Sequence, residues 1–291
     1  MHIIYMANTT NSFLNIITFL LTTIFYYMIL KPKLKYEYML DPARYKHYIS
    51  NAYMYLACYL LLIMVVQFIV NSYVISSMCG GSVTENMGRA GVYTFIPWTF
   101  LFGVLLLVLM IYPGFKSAFS DVIGYFYVSN SANNILTELL IDKDVQQKIN
   151  EDTTITPEKK NALENAADTI VKIMGNTSIL INQIVPLNFN QYWNILTPIM
   201  KDKYQTNNSE TENLKQKLFE LVVSRDDVGE AMWYIYTGVL LVSIVQLKIT
   251  TGGCNTSAET QQANLQQYQE QQEVKDAQTK KATSTTYTIT N

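Results

Sequence analysis

FIPWTFLFGVLLLVLMIYPGFKSAFSDVIGYFYV, residues 95 to 128, is the stretch whose reading decides the fold. Phe95 to Tyr112 carries no charged side chain. At about 1.5 Å rise per residue it crosses most of a hydrocarbon core roughly 30 Å thick. Trp98 and Tyr112 stand near its two ends, where amphipathic rings favour the headgroup layer. Pro97 falls in the first turn, where a missing N–H costs little, and Pro113-Gly114 stops the helix. Beyond that turn Phe115, Phe119, Ile123 and Phe126 recur at helical spacing, with Lys116, Ser120 and Asp121 between them. This pattern predicts an interfacial helix over 113–128. A span that turns directly into an interfacial helix marks a membrane protein.

Outward from this stretch the chain alternates apolar windows with polar connections. Residues 11–30 form a first predicted transmembrane helix, with Asn15, Thr18, Thr22 and Thr23 along one face as a stripe packed against neighbouring helices. Residues 31–51 form a basic aromatic loop, and 52–75 a second transmembrane helix that carries Cys58 as a small core residue. A glycine-rich loop, 76–94, precedes the third span at 95–112. The cations of the first loop place it on the cytosolic side, with 76–94 and the N-terminus on the far side.

The remainder is mostly polar. Residues 129–228 read as a small helical domain. Ile135, Leu136, Leu139 and Leu140 form one apolar face, a helix opens at Thr156-Pro157-Glu158 and ends at Gly175, and Pro186 and Pro198 break the next stretch into two helical pieces. Leu214, Leu218, Leu221 and Val222 mark a further amphipathic helix. Residues 229–247 form a fourth span, although a buried helix of the polar domain is the competing reading. The Gln-rich tail, 248–291, has almost no large aliphatics and reads as disordered, with a polar helix over 257–278. The fold class is therefore all-α, with multi-pass transmembrane helices, a small helical extramembrane domain and a disordered tail.

Composition narrows the functions. Only 15% of the 291 residues are charged against 49% hydrophobic, where a soluble domain carries about a quarter charged. A net charge of −2 gives no reason to expect nucleic acid as a partner. Three cysteines and two histidines exclude a disulfide-dense scaffold and leave little material for zinc modules or triads. No phosphate loop and no potassium-filter motif occurs. The chain reads as a non-enzyme without cofactor, metal or catalytic residues.

Candidate sites are few. Cys79 and Cys254, each flanked by glycine, fall beyond the same face of the bilayer in this topology and either form a disulfide or stay as two thiols. Sequons begin at Asn8, Asn176, Asn207 and Asn255, of which Asn8 and Asn255 lie on the non-cytosolic side as glycosylation candidates. Lys31, Lys33, Lys35, Arg44 and Lys46 either contact anionic lipid or serve only as a topology anchor. Asp226, Asp227 and Glu230 read as an N-terminal helix cap rather than a cation site. Trp98, Tyr112, Phe115, Phe119, Ile123 and Phe126 are the expected membrane-interface residues.

Ile96-Pro97-Trp98, Pro113-Gly114, Phe119-Ser120 and Gly124-Tyr125-Phe126 together resemble the multi-pass membrane proteins of large icosahedral DNA viruses of algae and other protists, the phycodnavirus and mimivirus kind. The resemblance covers the middle third and carries no catalytic positions. It implies a virion internal membrane protein of the minor capsid kind that links the bilayer to capsid or scaffold proteins. The expected partners are therefore the lipid bilayer and capsid or other virion membrane proteins, in a virion internal membrane or a host endomembrane during assembly. The alternatives are a small oligomeric pore or transporter and, more weakly, a membrane-fusion or entry factor.

Overall fold

The architecture comes from a computed structural model, which describes residues 2–80, 82–140, 177–252 and 254, with 262, 265, 266, 268–270 and 272–276. Among the described residues every element is a helix, apart from one isolated bridge between Leu140 and Met200. Four helical stretches are long and apolar enough to cross a membrane: Phe13–Leu30, Pro42–Cys79, Val83–Ile111 and Ser209–Thr251. The chain is an all-α, multi-pass membrane protein.

The helices overrun the apolar windows. Pro42–Cys79 begins ten residues before the window at Ala52, because Asp41 Oδ1 accepts the Ala43 N–H at 2.8 Å and Pro42 presets the first turn. Much of the expected basic loop is therefore helix. That helix ends at Gly80, whose φ of 72° suits a residue without a Cβ. The glycine-rich loop is also largely helical, since Ser82 and Glu85 form a reciprocal capping box that starts Val83–Pro97. Pro97 is consequently inside a helical stretch and not in its first turn. Its missing N–H breaks the regular ladder, and Trp98–Phe102 continues as a π turn before Gly103–Ile111. The polar-domain helix and the fourth window form one element, the 43-residue helix Ser209–Thr251.

The chain divides into two compact units. The first comprises residues 1–19, 63–100 and 240–291. Its core gathers Val70, Val74, Ile75, Ala90, Val245 and Ile249, and Trp98 is fully buried against Phe19, 5.5 Å between ring centroids. Cys79 and Cys254 are joined as a disulfide with Cα atoms 5.2 Å apart. The described residues between 262 and 276 are helical and exposed.

The second unit comprises residues 20–62 and 101–239. Its core is that of a small helical domain: Val128, Ala132, Leu136 and Leu139 from Tyr125–Leu139 meet Phe189, Trp193 and Leu196 from Phe189–Leu196, and Leu214, Leu218, Phe219 and Val222 from Ser209–Thr251. Pro186 and the Thr197–Ile199 turn bound the short Phe189–Leu196 helix, as the proline spacing predicts. The helix expected from Thr156 to Gly175 lies outside the described residues.

One close crossing sets the geometry of this unit. A Cβ on Gly229 would stand 2.6 Å from the Ser120 Cβ, and one on Gly124 would collide with the Arg225 carbonyl. Only small residues let backbones meet this closely, which is how helices pack in lipid. The crossing brings the turn after the third span against the entry of the fourth.

Candidate functional site

Lys31 follows the last residue of the first span, Lys116 sits in the 3-10 turn Pro113–Lys116 after the third, and Glu230 lies on the long helix next to Gly229. Each is a charge at the end of an apolar run, and the second unit brings all three together. Glu230 Oε1 accepts from Lys31 Nζ at 2.6 Å and from the Tyr27 hydroxyl at 3.0 Å. Its other oxygen accepts from Lys116 Nζ, also at 2.6 Å. Asp227 adds a second partner for Lys31 at 2.8 Å, and Asp226 one for Lys116 at 3.3 Å. One carboxylate thus bridges two ammonium groups separated by 85 residues of chain (116 − 31).

The centre of the cluster is largely buried, although Asp227 at its edge keeps 37% of its exposure. The Glu230 side chain retains 10% of its exposure, Lys31 13% and Lys116 15%. Tyr26 stacks on Tyr59 at 4.3 Å, Tyr234 lies 5.7 Å from Tyr59 and 5.8 Å from Phe102, and Lys31 stands 4.7 Å over the Tyr27 ring. Burial alone would discharge Lys31, but the Asp227 and Glu230 carboxylates outweigh it and hold its pKa well above the ordinary lysine value. Lys116 shows the same balance: burial lowers its pKa, Glu230 and Asp226 raise it further, and the net shift is upward. Both lysines therefore carry full charge throughout the physiological range. Short charge-assisted bonds of this kind are the strong ones, and buried ones are costly to break from one side.

This arrangement corrects several expectations. Asp226, Asp227 and Glu230 do not cap a helix, because the helix begins at Ser209; they neutralise lysines from its middle. Lys31 is turned inward and is not a lipid contact, whereas Lys33, Lys35, Arg44 and Lys46 are exposed. Trp98 is fully buried and is no interface anchor. Phe119 is half-buried and packs on Trp233 at 5.0 Å. Tyr112, Phe115, Ile123 and Phe126 are exposed, Phe126 at 84%. Cys58 is exposed rather than in the core. Asn15, Thr22 and Thr23 of the polar stripe are buried.

Asn8 lies in the helix His2–Phe25, and Asn255 is outside the described residues. Sequence reasoning missed Lys116, Tyr27 and Tyr234 as partners of the acidic cluster. The available signal was opposite charge at three span ends expected on one side of the bilayer. Arg225, also missed, is buried and donates to the Ile181 carbonyl.

Chemically the cluster is a clamp. Its three carboxylates share two ammonium groups, and among the described residues no group of His, Cys, Asp or Glu is arranged to hold a metal ion. Comparison with protein-family models, curated proteins and solved structures found no match for this chain.

Proposed function

We propose that this protein is a non-enzymatic structural component of a membrane, one that holds a helical platform at a bilayer surface for other proteins to dock on. The observation that carries this reading is the Lys31–Glu230–Lys116 clamp on the Ser209–Thr251 helix. That helix carries core residues of the platform at Leu214 to Val222 and an apolar run from Ala231 onward. The ions fix the ends of two other apolar runs to it between those parts. A rigid joint of this kind serves transmission of position rather than turnover.

The resemblance at Ile96-Pro97-Trp98, Pro113-Gly114 and Gly124-Tyr125-Phe126 supports a viral internal membrane as the bilayer, and capsid or scaffold proteins as the docking partners. The disulfide supports a non-cytosolic position for Cys79 and Cys254, since thiols on the reducing side stay free. A pore is the rival reading. Against it, buried amides of the first unit bond to one another: Gln246 Nε2 donates to Asn71 Oδ1 at 3.1 Å, and Asn71 Nδ2 to Thr94 Oγ1 at 2.9 Å.

The test is cross-linking mass spectrometry on tagged protein and on particles purified from cells that produce it. We expect recovery in the particles, with cross-links from residues 114–228 to a shell protein. Replacing exposed Phe126 and Tyr127 with Asp should reduce those cross-links about a hundredfold or more while leaving membrane insertion intact, because the lost apolar contacts are each worth about 1.5–3 kcal/mol. Recovery only in cellular membranes, or ion conductance by the purified protein in liposomes, would sink the proposal.

A further inference from the structure

The basic stretch after the first span folds into a pocket. A cavity of about 560 Å³ is lined by Lys33, Lys35, Tyr38, Arg44, His47 and Tyr48, among others. No Asp or Glu is among the described residues that line it. Its size falls in the range of roughly 300–1,000 Å³ usual for small-molecule sites. Tyr38 and Tyr48 stack at 5.9 Å, and the Tyr48 hydroxyl donates to the Pro32 carbonyl at 3.4 Å, so the aromatic wall is braced.

The lysines here are sorted by position. Lys31 is withdrawn into the clamp, and Lys46 is exposed but does not line the cavity. Lys33, Lys35 and Arg44 converge on it. Asp41 is the acid that competes: it reaches Arg44 Nε at 3.4 Å, while its other oxygen caps the Pro42–Cys79 helix. That ion pair is solvent-exposed, hence weak, and the planar guanidinium keeps further donors for a ligand.

We propose that this pocket binds a phosphate group, presented by an anionic phospholipid at the membrane surface. Three cationic side chains, one of them bearing a guanidinium fork, line this open cavity, and such groups suit phosphate oxygens. Lys33 is three residues beyond Leu30, where the first span ends, which puts the cavity at headgroup depth. The inference rests on the membrane reading and not on the viral one, so recovery in particles has no bearing on it.

The experiment uses the full-length protein in nanodiscs of phosphatidylcholine, with or without phosphatidic acid, read by native mass spectrometry of retained lipid. Wild type should retain phosphatidic acid over phosphatidylcholine. A Lys33→Gln/Lys35→Gln/Arg44→Gln variant should lose about a hundredfold in retention, and Lys46→Gln no more than about fivefold, from the usual contribution of each surface cation. Whether or not the triple variant folds, Lys35→Gln alone should lose about tenfold or more, clearly above Lys46→Gln, because a direct charge-assisted bond to phosphate exceeds diffuse surface attraction. Inorganic phosphate binding in lipid-neutral discs, lost in the same variant, would assign the phosphate to a soluble source and overturn the lipid. Equal losses in Lys46→Gln and in Lys35→Gln would reduce the effect to general surface charge and overturn the pocket; so would indifference of wild type to phosphatidic acid.

Discussion

The two units bury polar groups in different ways. In the first, Gln67 donates to the Asn15 carbonyl at 3.1 Å and to Thr18 at 3.3 Å, and Gln246, Asn71 and Thr94 form a second chain of hydrogen bonds. All of these groups are neutral. In the second, Glu230, with Asp226 and Asp227 beside it, forms ion pairs with Lys31 and Lys116. Neutral amides can sit along apolar helices because their desolvation is modest and partners lie one helix away. Ions need a site where several charges converge, and the ends of spans supply it. Hydrogen bonds between membrane helices average about 0.6 kcal/mol and reach about 1.7. Removing one partner of a buried ion pair costs about 3–5 kcal/mol. The first unit is tuned by many small terms, the second by one large one.

The largest test of that contrast is Glu230→Ala. It removes the shortest contact of both buried ammonium groups and leaves each a single, more exposed aspartate, and we expect a loss of about 3–5 kcal/mol in unfolding measured in detergent. A loss below about 1 kcal/mol would erase the distinction between the units. Next comes Cys79→Ser. The first unit has no ion clamp among its described residues and relies on the covalent link, which closes a loop with a separation of 175 residues. Losing it should cost about 2–4 kcal/mol, matched by reducing wild type and absent from the reduced variant. Gln246→Leu should cost only about 0.6–1.7 kcal/mol. If it costs as much as Glu230→Ala, the amides are no minor term.

The smallest expected effect is that of moderate alkali. The folded-state pKa values of Lys31 and Lys116 lie above the unfolded value of about 10.4. Their contribution is therefore fully present below the unfolded value and is lost only as pH rises through the raised ones. Melting curves at pH 7 and pH 9 should show no difference assignable to these lysines. A fall across that interval, abolished in Lys31→Met/Lys116→Met, would contradict the clamp.

How much of this could be read from the residues depends on the range of the signal. The apolar windows at 11–30, 52–75 and 229–247 fall within helices of the structure, and 95–112 does so up to Ile111, because uncharged runs of this length have little alternative. Where those helices begin was written in polar residues that hydropathy ignores: Asp41-Pro42 and the Ser82-x-x-Glu85 box are local cap signals, legible once hydropathy is set aside. The platform core was also accessible, since Leu136, Leu139, Leu214, Leu218 and Val222 repeat at helical spacing and are buried.

The clamp was not accessible in that way. Lys31 and Glu230 lie 199 residues apart, and nothing local in either neighbourhood names the other. The acidic trio suggested a cap because capping is the commonest local use of such residues. The close approach of Gly229 to Ser120, which decides otherwise, is a tertiary fact. Trp98 misled for a related reason. A tryptophan at the end of an apolar run is usually an anchor, but the helix continues through it to Val83, which leaves Trp98 in the interior.

The Cys79–Cys254 bond has a topological consequence. Every residue from 80 to 253, including the clamp's Lys116 and Glu230 and the whole platform, belongs to a covalently closed ring. A protease that nicks the chain once anywhere within that ring opens it but releases no fragment. The cut halves stay on one molecule until the bond is reduced, so a single surface scission cannot shed the platform from its anchor.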